Sequence, residues 1–290
     1  MGAVITKESE LSPREKRQTN SMLAPSIILI IGALVLLYPV SATLWNNYKY
    51  EQVAEKYSSL LKTADPQTLK EQLISARKYN AARNTGPILD PWLSRISQDN
   101  KEYQKYLAEL DTFEIMARLR IPAINADLPI YHGTAPETLE KGAGHLFGSD
   151  LPVGGAGTHT ILTAHTGLPN ATLFDRLVDL KNGDVFTIDV SGETLSYKVN
   201  NIRIVLPAEA EGLAPAADTD LATLITCTPY GINSHRLLVT GERVQLTQNE
   251  LAVVEESFGM PIWMIVFIAA AIFAILITIL GIVRTKRPET

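Results

Sequence analysis

The chain of 290 residues holds one cysteine, Cys227, so no disulfide can form within it. Its net charge of −5 gives nucleic acid no basic patch to bind. Neither HExxH nor CxxC occurs, and His159 and His165 lack a convincing third ligand. Zinc usually takes three or four protein ligands, so no metal is expected, nor any cofactor. No repeat of fixed period is present. Charge is missing from two long runs, and there the absence is informative. Ser257 to Val283, "SFGMPIWMIVFIAAAIFAILITILGIV", carries none, and roughly 20 apolar residues cross a hydrocarbon core of about 30 Å. The run reads as a transmembrane helix. Trp263 belongs at its interface, and Arg284, Lys286 and Arg287 form a cytoplasmic flank.

The second uncharged run, "MLAPSIILIIGALVLLYPVSATLW" (22–45), follows a leader carrying Lys7, Arg14, Lys16 and Arg17, and the next charge is Lys49. It is either a second span or a signal peptide. Val40-Ser41-Ala42 has the small-residue pattern of a cleavage site, whereas the apolar stretch is long for a signal core. Both readings put the start of the chain in the cytoplasm and residues from about 46 to 256 outside the membrane. That location makes the lone thiol notable, because extracytoplasmic cysteines usually occur in pairs. Two readings stand at this point: a small buried hydrophobe, or a reactive group.

From 46 to 83, "YEQVAEKYSSLLK" and "DPQTLKEQLISARKYNAA" space their apolar residues three and four apart among charges, which predicts amphipathic helices forming a stalk or flank. Asp65 before Pro66 fits an N-cap with proline at the first helical position. Gly86, Pro87 and Pro91 break the pattern, so 84–97 is a loop, before "KEYQKYLAELD" restores a helix within 98–111. From 112 to 248 the pattern changes to short β-rich runs: "FEIMARLRIP", "ADLPIYHG", "GTHTILTAH", "DVFTIDV", "ETLSYKVNNIRIVLP", "LATLITC" and "RLLVTGERVQL". Their spacing predicts a closed or nearly closed β-barrel, mainly β overall, with helical interruptions at "ETLEKG" and "ATLFDRLVDL". The layout is then a leader (1–21), the first apolar segment (22–45), helices, loop, helix, barrel, a linker (249–256), the span (257–283) and a cytoplasmic tail (284–290).

A thiol acts as a nucleophile when ionised, and a free pKa of about 8.5 leaves only a few per cent as thiolate near neutrality. Cys227 therefore needs a base or cation beside it. Among His132, His145, His159, His165 and His235, His165 ends a β-like run just where Gly167 and Pro169 turn the chain, a position suited to a barrel rim. His132 and His145 sit in turn-like surroundings and read as surface histidines. Arg236 opens the β run after Cys227, nine residues on, so the connection is short enough to return it to the thiol. Arginine is not a base at any working pH, but its fork of N–H donors can hold a developing negative charge.

"TLITC" with a strand-entry arginine nine residues later resembles the TLxTC signature of sortases, and "TLITCTPYGINSHRLLVTGER" closely resembles the pilin-polymerising class C sortases. "LTAHTGLPNATLF" is similar to that family's histidine segment. The resemblance implies an eight-stranded sortase-type β-barrel as the catalytic domain over 112–248, with Cys227 as nucleophile, His165 as general acid and base, and Arg236 as donor to the oxyanion or substrate carbonyl. "ILDPWL" resembles the class C lid motif, which implies that Asp90, Pro91 and Trp92 lie over the site, Asp90 engaging Arg236 and Trp92 covering Cys227. Hydrophobic segments at both ends match the same class.

By this resemblance the protein is a membrane-anchored extracytoplasmic transpeptidase of a Gram-positive-type bacterium. It cleaves an LPxTG-like sorting signal between Thr and Gly through a thioester and transfers the acyl group to a lysine of a pilin subunit. Its partners are such pilins and the lipid bilayer. A sortase that anchors proteins to peptidoglycan, a thiol protease and a non-catalytic assembly scaffold are the rivals. The protease reading lacks a "CGSCW" context and leaves Arg236 without a role.

Overall fold

The computed structural model of the protein describes residues 13–83, 99–209, 213, 218–247, 251 and 262–285. The chain divides into two compact units, residues 43–259 and the two ends, 1–42 with 260–290. The larger unit holds eight strands: β1 (Ala117–Ile121), β2 (Ala126–His132), β3 (Ala143–His145), β4 (Thr158–Thr163), β5 (Val185–Val190), β6 (Glu193–Val205), β7 (Asp220–Thr228) and β8 (His235–Val244). They close into a barrel in the order β1-β2-β3-β4-β7-β8-β6-β5, β1 pairing back onto β5. The mainly β barrel read from the sequence is therefore present. Strand β3 is an addition to the seven expected runs: Ala-Gly-His is too short to show alternation, and it is drawn in by parallel pairing with β2.

Strand parity sorts the side chains into two apolar groups. Leu119, Ile130, Leu162, Phe186, Leu224 and Val239 belong to the main core. Ile161, Ile225 and Leu238, from the opposite face of β4, β7 and β8, join Leu146 and Leu213 in a smaller cluster. Each such side chain, fully buried, is worth about 1.5–3 kcal/mol relative to exposure. Within the main core the Phe186 ring stacks on Tyr197, centroids 5.5 Å apart. This arrangement requires glycine at 241, where a Cβ would stand 2.7 Å from the Phe186 ring.

Helix α1 (Pro13–Thr63) is followed by α2 (Pro66–Ala82), α3 (Lys101–Leu107) and the short α4 (Pro136–Leu139). Asp65 starts α2 as its sequence suggests, its carboxylate accepting from the Thr68 amide at 3.1 Å with Pro66 at the first position. The 46–83 helices flank the barrel. Tyr57 of α1 is buried, donating to the Met116 carbonyl at 3.1 Å and accepting from the Ser191 amide at 3.0 Å. On α2, Asn80 pairs both ways with the Leu151 backbone at 3.1 and 2.8 Å, and Arg83 meets Asp150 at 2.9 Å in a nearly buried ion pair.

In the terminal unit, α5 (Ile262–Thr285) is a helix of 24 residues, apolar from Ile265 to Ile277. Among the described residues, one helical stretch, Ile30–Thr63, is long and apolar enough to cross a membrane.

Candidate active site

Cys227 lies one residue before the end of β7, and Arg236 is its direct partner across the antiparallel ladder to β8. Directly opposed residues point to the same face, their Cα atoms about 4.5–5.5 Å apart. On the other side of β7 the pairing with β4 is parallel and runs from Thr158↔Asp220 to Thr163↔Ile225. The two strand ends are tied beyond that point. The Ala164 amide donates to the Ile225 carbonyl at 3.3 Å, the Thr163 hydroxyl donates to the same oxygen at 3.0 Å, and the Thr226 hydroxyl donates to the Ala164 carbonyl at 2.8 Å. Carried two residues past its last pair, beyond the end of β4, this register would align His165 with Cys227. Cys227 and Arg236 have the strand parity of Ile225 and Leu238 in the smaller cluster, and His165 that of Ile161.

Arg236 is only 6% exposed. Its Nη1 donates to the carbonyls of Asn233 at 3.3 Å and His235 at 3.2 Å, so the guanidinium is braced by the turn it follows. That turn opens with a cis Thr228-Pro229 bond and contains Gly231 and Asn233 at positive φ. On the histidine side Asp175 organises the exit loop, accepting from the Gly167 amide at 2.7 Å and the Thr166 hydroxyl at 3.0 Å. Burial pushes the Asp175 carboxyl above its usual range against those two bonds. Gly167 at φ +79° would place a Cβ 3.4 Å from the Gly231 backbone nitrogen, which shows how closely the two rim loops approach. Because Asp175 and the Phe174 amide, bonded to the His165 carbonyl at 3.1 Å, pin this stretch, "ATLFDRLVDL" is a loop with a 3-10 turn at Leu177–Asp179 instead of the helix its pattern suggests.

Partial burial lowers the pKa of His165, and the charge of Glu140 opposes that shift. The neutral imidazole, able to accept a proton from a thiol, is thereby favoured. Neither Glu140 nor Asp175 was singled out from sequence: each stands in a segment whose pattern suggested helix, and nothing local marks a carboxylate that acts across the barrel.

The remaining histidines correct one reading. His145 is fully buried, its Nδ1 3.0 Å from the Tyr106 hydroxyl and its Nε2 2.8 Å from the Asp150 carbonyl, and desolvation pushes its pKa down to about 3. His132 is partly buried with its Nε2 2.7 Å from the Glu109 carbonyl. Neither is a surface histidine; the short strand β3 and the end of β2 carry them beneath α3. His159 directs its Nε2 to the Thr223 hydroxyl at 2.7 Å inside the sheet. Among the described residues, no group of three or more His, Cys, Asp or Glu is placed to hold a metal ion. Asp90, Pro91 and Trp92 lie outside the described residues.

A strand-end thiol paired across the ladder with a guanidinium, with an imidazole in the loop that leaves the neighbouring strand, has the make-up of a thiol-dependent acyl-transfer centre. A family model for the sortase domain matches residues 119–244. The chain is similar to sortase C-1 from Actinomyces oris, with 54% identity over 61% of this chain and 99% of that one and a TM-score of 0.59. It is similar to a lid mutant of sortase A from Corynebacterium diphtheriae, with 47% identity over 65% and 100% of the two chains and a TM-score of 0.60. It is also similar to sortase C from Streptococcus pneumoniae, with 41% identity over 68% and 98% and a TM-score of 0.62. The chain belongs to the sortase family of cysteine transpeptidases, and class C sortases are among its structural neighbours.

Proposed function

We propose that this sortase polymerises pilin subunits, with Cys227 as nucleophile, His165 as acid and base and Arg236 as oxyanion donor. The observation that supports the reading is the register: Arg236 is the direct cross-strand partner of Cys227, and the parallel β4–β7 pairing, carried two residues past Thr163↔Ile225, would align His165 with Cys227 on its other side. The sulfur attacks the Thr carbonyl of an LPxTG-like signal while neutral His165 takes the thiol proton. A C–S bond forms, the guanidinium of Arg236 holds the developing oxyanion, and the C–N bond to Gly breaks as His165 returns the proton to the departing amine. Positioned acid-base help of this kind is worth about 10²–10⁴-fold. The thioester keeps most of the acyl-transfer potential, so a lysine amine of a second pilin can form a new amide outside the cell without a nucleotide.

Similarity to sortases C, and to a solved form of S. pneumoniae sortase C discussed in terms of pilin substrate specificity, supports the pilin assignment. Similarity to a lid mutant of a C. diphtheriae sortase supports the role of Asp90, Pro91 and Trp92 as a cover over the thiol. The uncharged part of the helical stretch that begins at Ile30, ahead of Lys49, and the apolar stretch 265–277 support anchoring of both ends in the cell membrane of a Gram-positive-type bacterium, with the barrel outside and the tail in the cytoplasm. The test is to incubate the full chain in detergent with an LPxTG-type peptide and measure its intact mass. The expected result is an adduct on Cys227 equal to the peptide's N-terminal part, released as an amide by an added lysine; peptide cleaved with no adduct, or no reaction at all, overturns the assignment.

A further inference from the structure

Beside the candidate centre lies a cleft of about 530 Å³ between the barrel-flanking part of α1, the end of α4 and the loop leaving His165. Its walls are fastened to one another. The Asn46 side-chain amide donates to the Asn170 carbonyl at 2.8 Å, Asn47 and Thr172 exchange two hydrogen bonds at 2.9 and 3.2 Å, and the Tyr50 hydroxyl donates to the Glu140 carbonyl at 2.9 Å. Leu168 and Val53 supply apolar surface. The strand order decides which side of the centre this is. Across β4, Cys227 and Arg236 belong to β7 and β8, whereas the cleft is lined by Tyr131 of β2 and by Glu140 and Lys141, which lead into β3. The antiparallel β3–β4 pairing, Gly144↔Thr163, runs the stretch leading into β3 alongside the one leaving β4, and Leu168 and Asn170 of that exit loop line the cleft.

We propose that this cleft receives the aliphatic amine side chain of the acyl acceptor, with Glu140 holding the ammonium group beside His165. The inference rests on the acyl-transfer reading above. In a two-step transfer the incoming amine must reach the base that served the departing amine, so it enters on the histidine side, and a cleft there with an exposed carboxylate in its wall fits a protonated amine on an apolar stem. The β3–β4 register brings Glu140 to the rim that His165 occupies, and its charge raises the imidazole pKa against desolvation. The rim is of mixed charge: Glu114 and Glu140 are offset by Lys141 and by Lys49, whose ammonium lies 5.4 Å from the Trp45 ring centroid. Neutral His165 takes one proton from the ammonium. The nitrogen lone pair then attacks the thioester carbon, a C–N bond forms and the C–S bond breaks. The sulfur takes up the second proton, and His165 passes its own to water. Glu140 remains a carboxylate throughout and is a positioning residue for the acceptor.

The test compares two nucleophiles on the same thioester, formed on the full chain in detergent from an LPxTG-type peptide: Nα-acetyl-lysine amide, a cation with a stem, and hydroxylamine, small and neutral. The readout is the ratio of lysine-derived to hydroxylamine-derived product. Glu140→Gln is expected to lower that ratio about 5-fold and Lys141→Gln to raise it about 2-fold, the scale of one exposed charge interaction. Both positions are exposed, so neither change threatens the fold. Ratios equal to wild type in both variants, or variants that alter the two products alike, overturn the cleft assignment while leaving the thioester standing. Absence of any adduct on the wild-type chain removes the underlying reading and this one with it.

Discussion

Two histidines in this barrel stand in opposite circumstances. His145 is sealed beneath α3, bonded at both ring nitrogens, and so strongly desolvated that it stays neutral down to about pH 3. His165 stands at the rim, partly buried, with Glu140 counteracting the desolvation. The first is part of a polar core network through Tyr106, which also accepts from the Gly133 amide at 2.9 Å. The second keeps a pKa that a neighbouring charge can tune. The difference lies in burial: a fully buried ring bonded on both sides is structure, whereas a partly exposed one at a strand end can exchange protons.

The contrast is broken most severely at the rim. Cys227→Ala should abolish product entirely and His165→Ala should lower turnover about 10²–10⁴-fold, each with an unchanged circular dichroism spectrum; product from Cys227→Ala, or near-normal turnover of His165→Ala, would dismiss the centre. Arg236→Lys should cost about 10²-fold in kcat/KM, because an ammonium cannot reproduce the planar fork, and near-normal kinetics would take Arg236 out of the reaction.

In the core the expected effect falls on stability instead. Tyr106→Phe should destabilise the fold by about 1–3 kcal/mol in urea titrations, leaving the Gly133 amide and the His145 ring without their hydroxyl, while turnover of the folded protein stays near wild type. The pH dependence has a definite sign. An unfolded histidine titrates near 6.5, but native His145 does so only at about 3, so the unfolded chain gains its proton first. Stability is fully present above about pH 6.5 and drains away towards pH 3. His145→Gln should flatten that slope; an unchanged slope would mean that the ring is not the group responsible. The smallest effect concerns the cover proposed over the rim: Trp92→Ala should raise the rate at which a thiol reagent labels Cys227 by a few-fold, the scale of partial exposure of a reactive thiol, and equal rates would discard that cover.

Much of the rim was legible because its signals are local. Cys227 and Arg236 are nine residues apart on two strands joined by a turn, and a hairpin-like ladder returns one to the other. The barrel's seven longer strands alternate visibly. What escaped reading depends on contacts that no local pattern encodes: the parallel β4–β7 register, the three-residue strand β3, and the burial of His145 under a helix. Asp175 and Glu140 escaped for the same reason, since an acid beside leucines in a helical pattern gives no sign that it will fold back on a neighbouring loop or act on a distant imidazole.

The parallel pairing of β4 with β7 has a consequence for the chain in transit. His165 and Cys227 are separated in sequence by the whole of β5 and β6, so under the proposed pairing the unfolded polypeptide carries an ordinary thiol, slow to react with oxidants or passing carbonyls. On that proposal reactivity arrives together with barrel closure, and only molecules that have finished folding are armed.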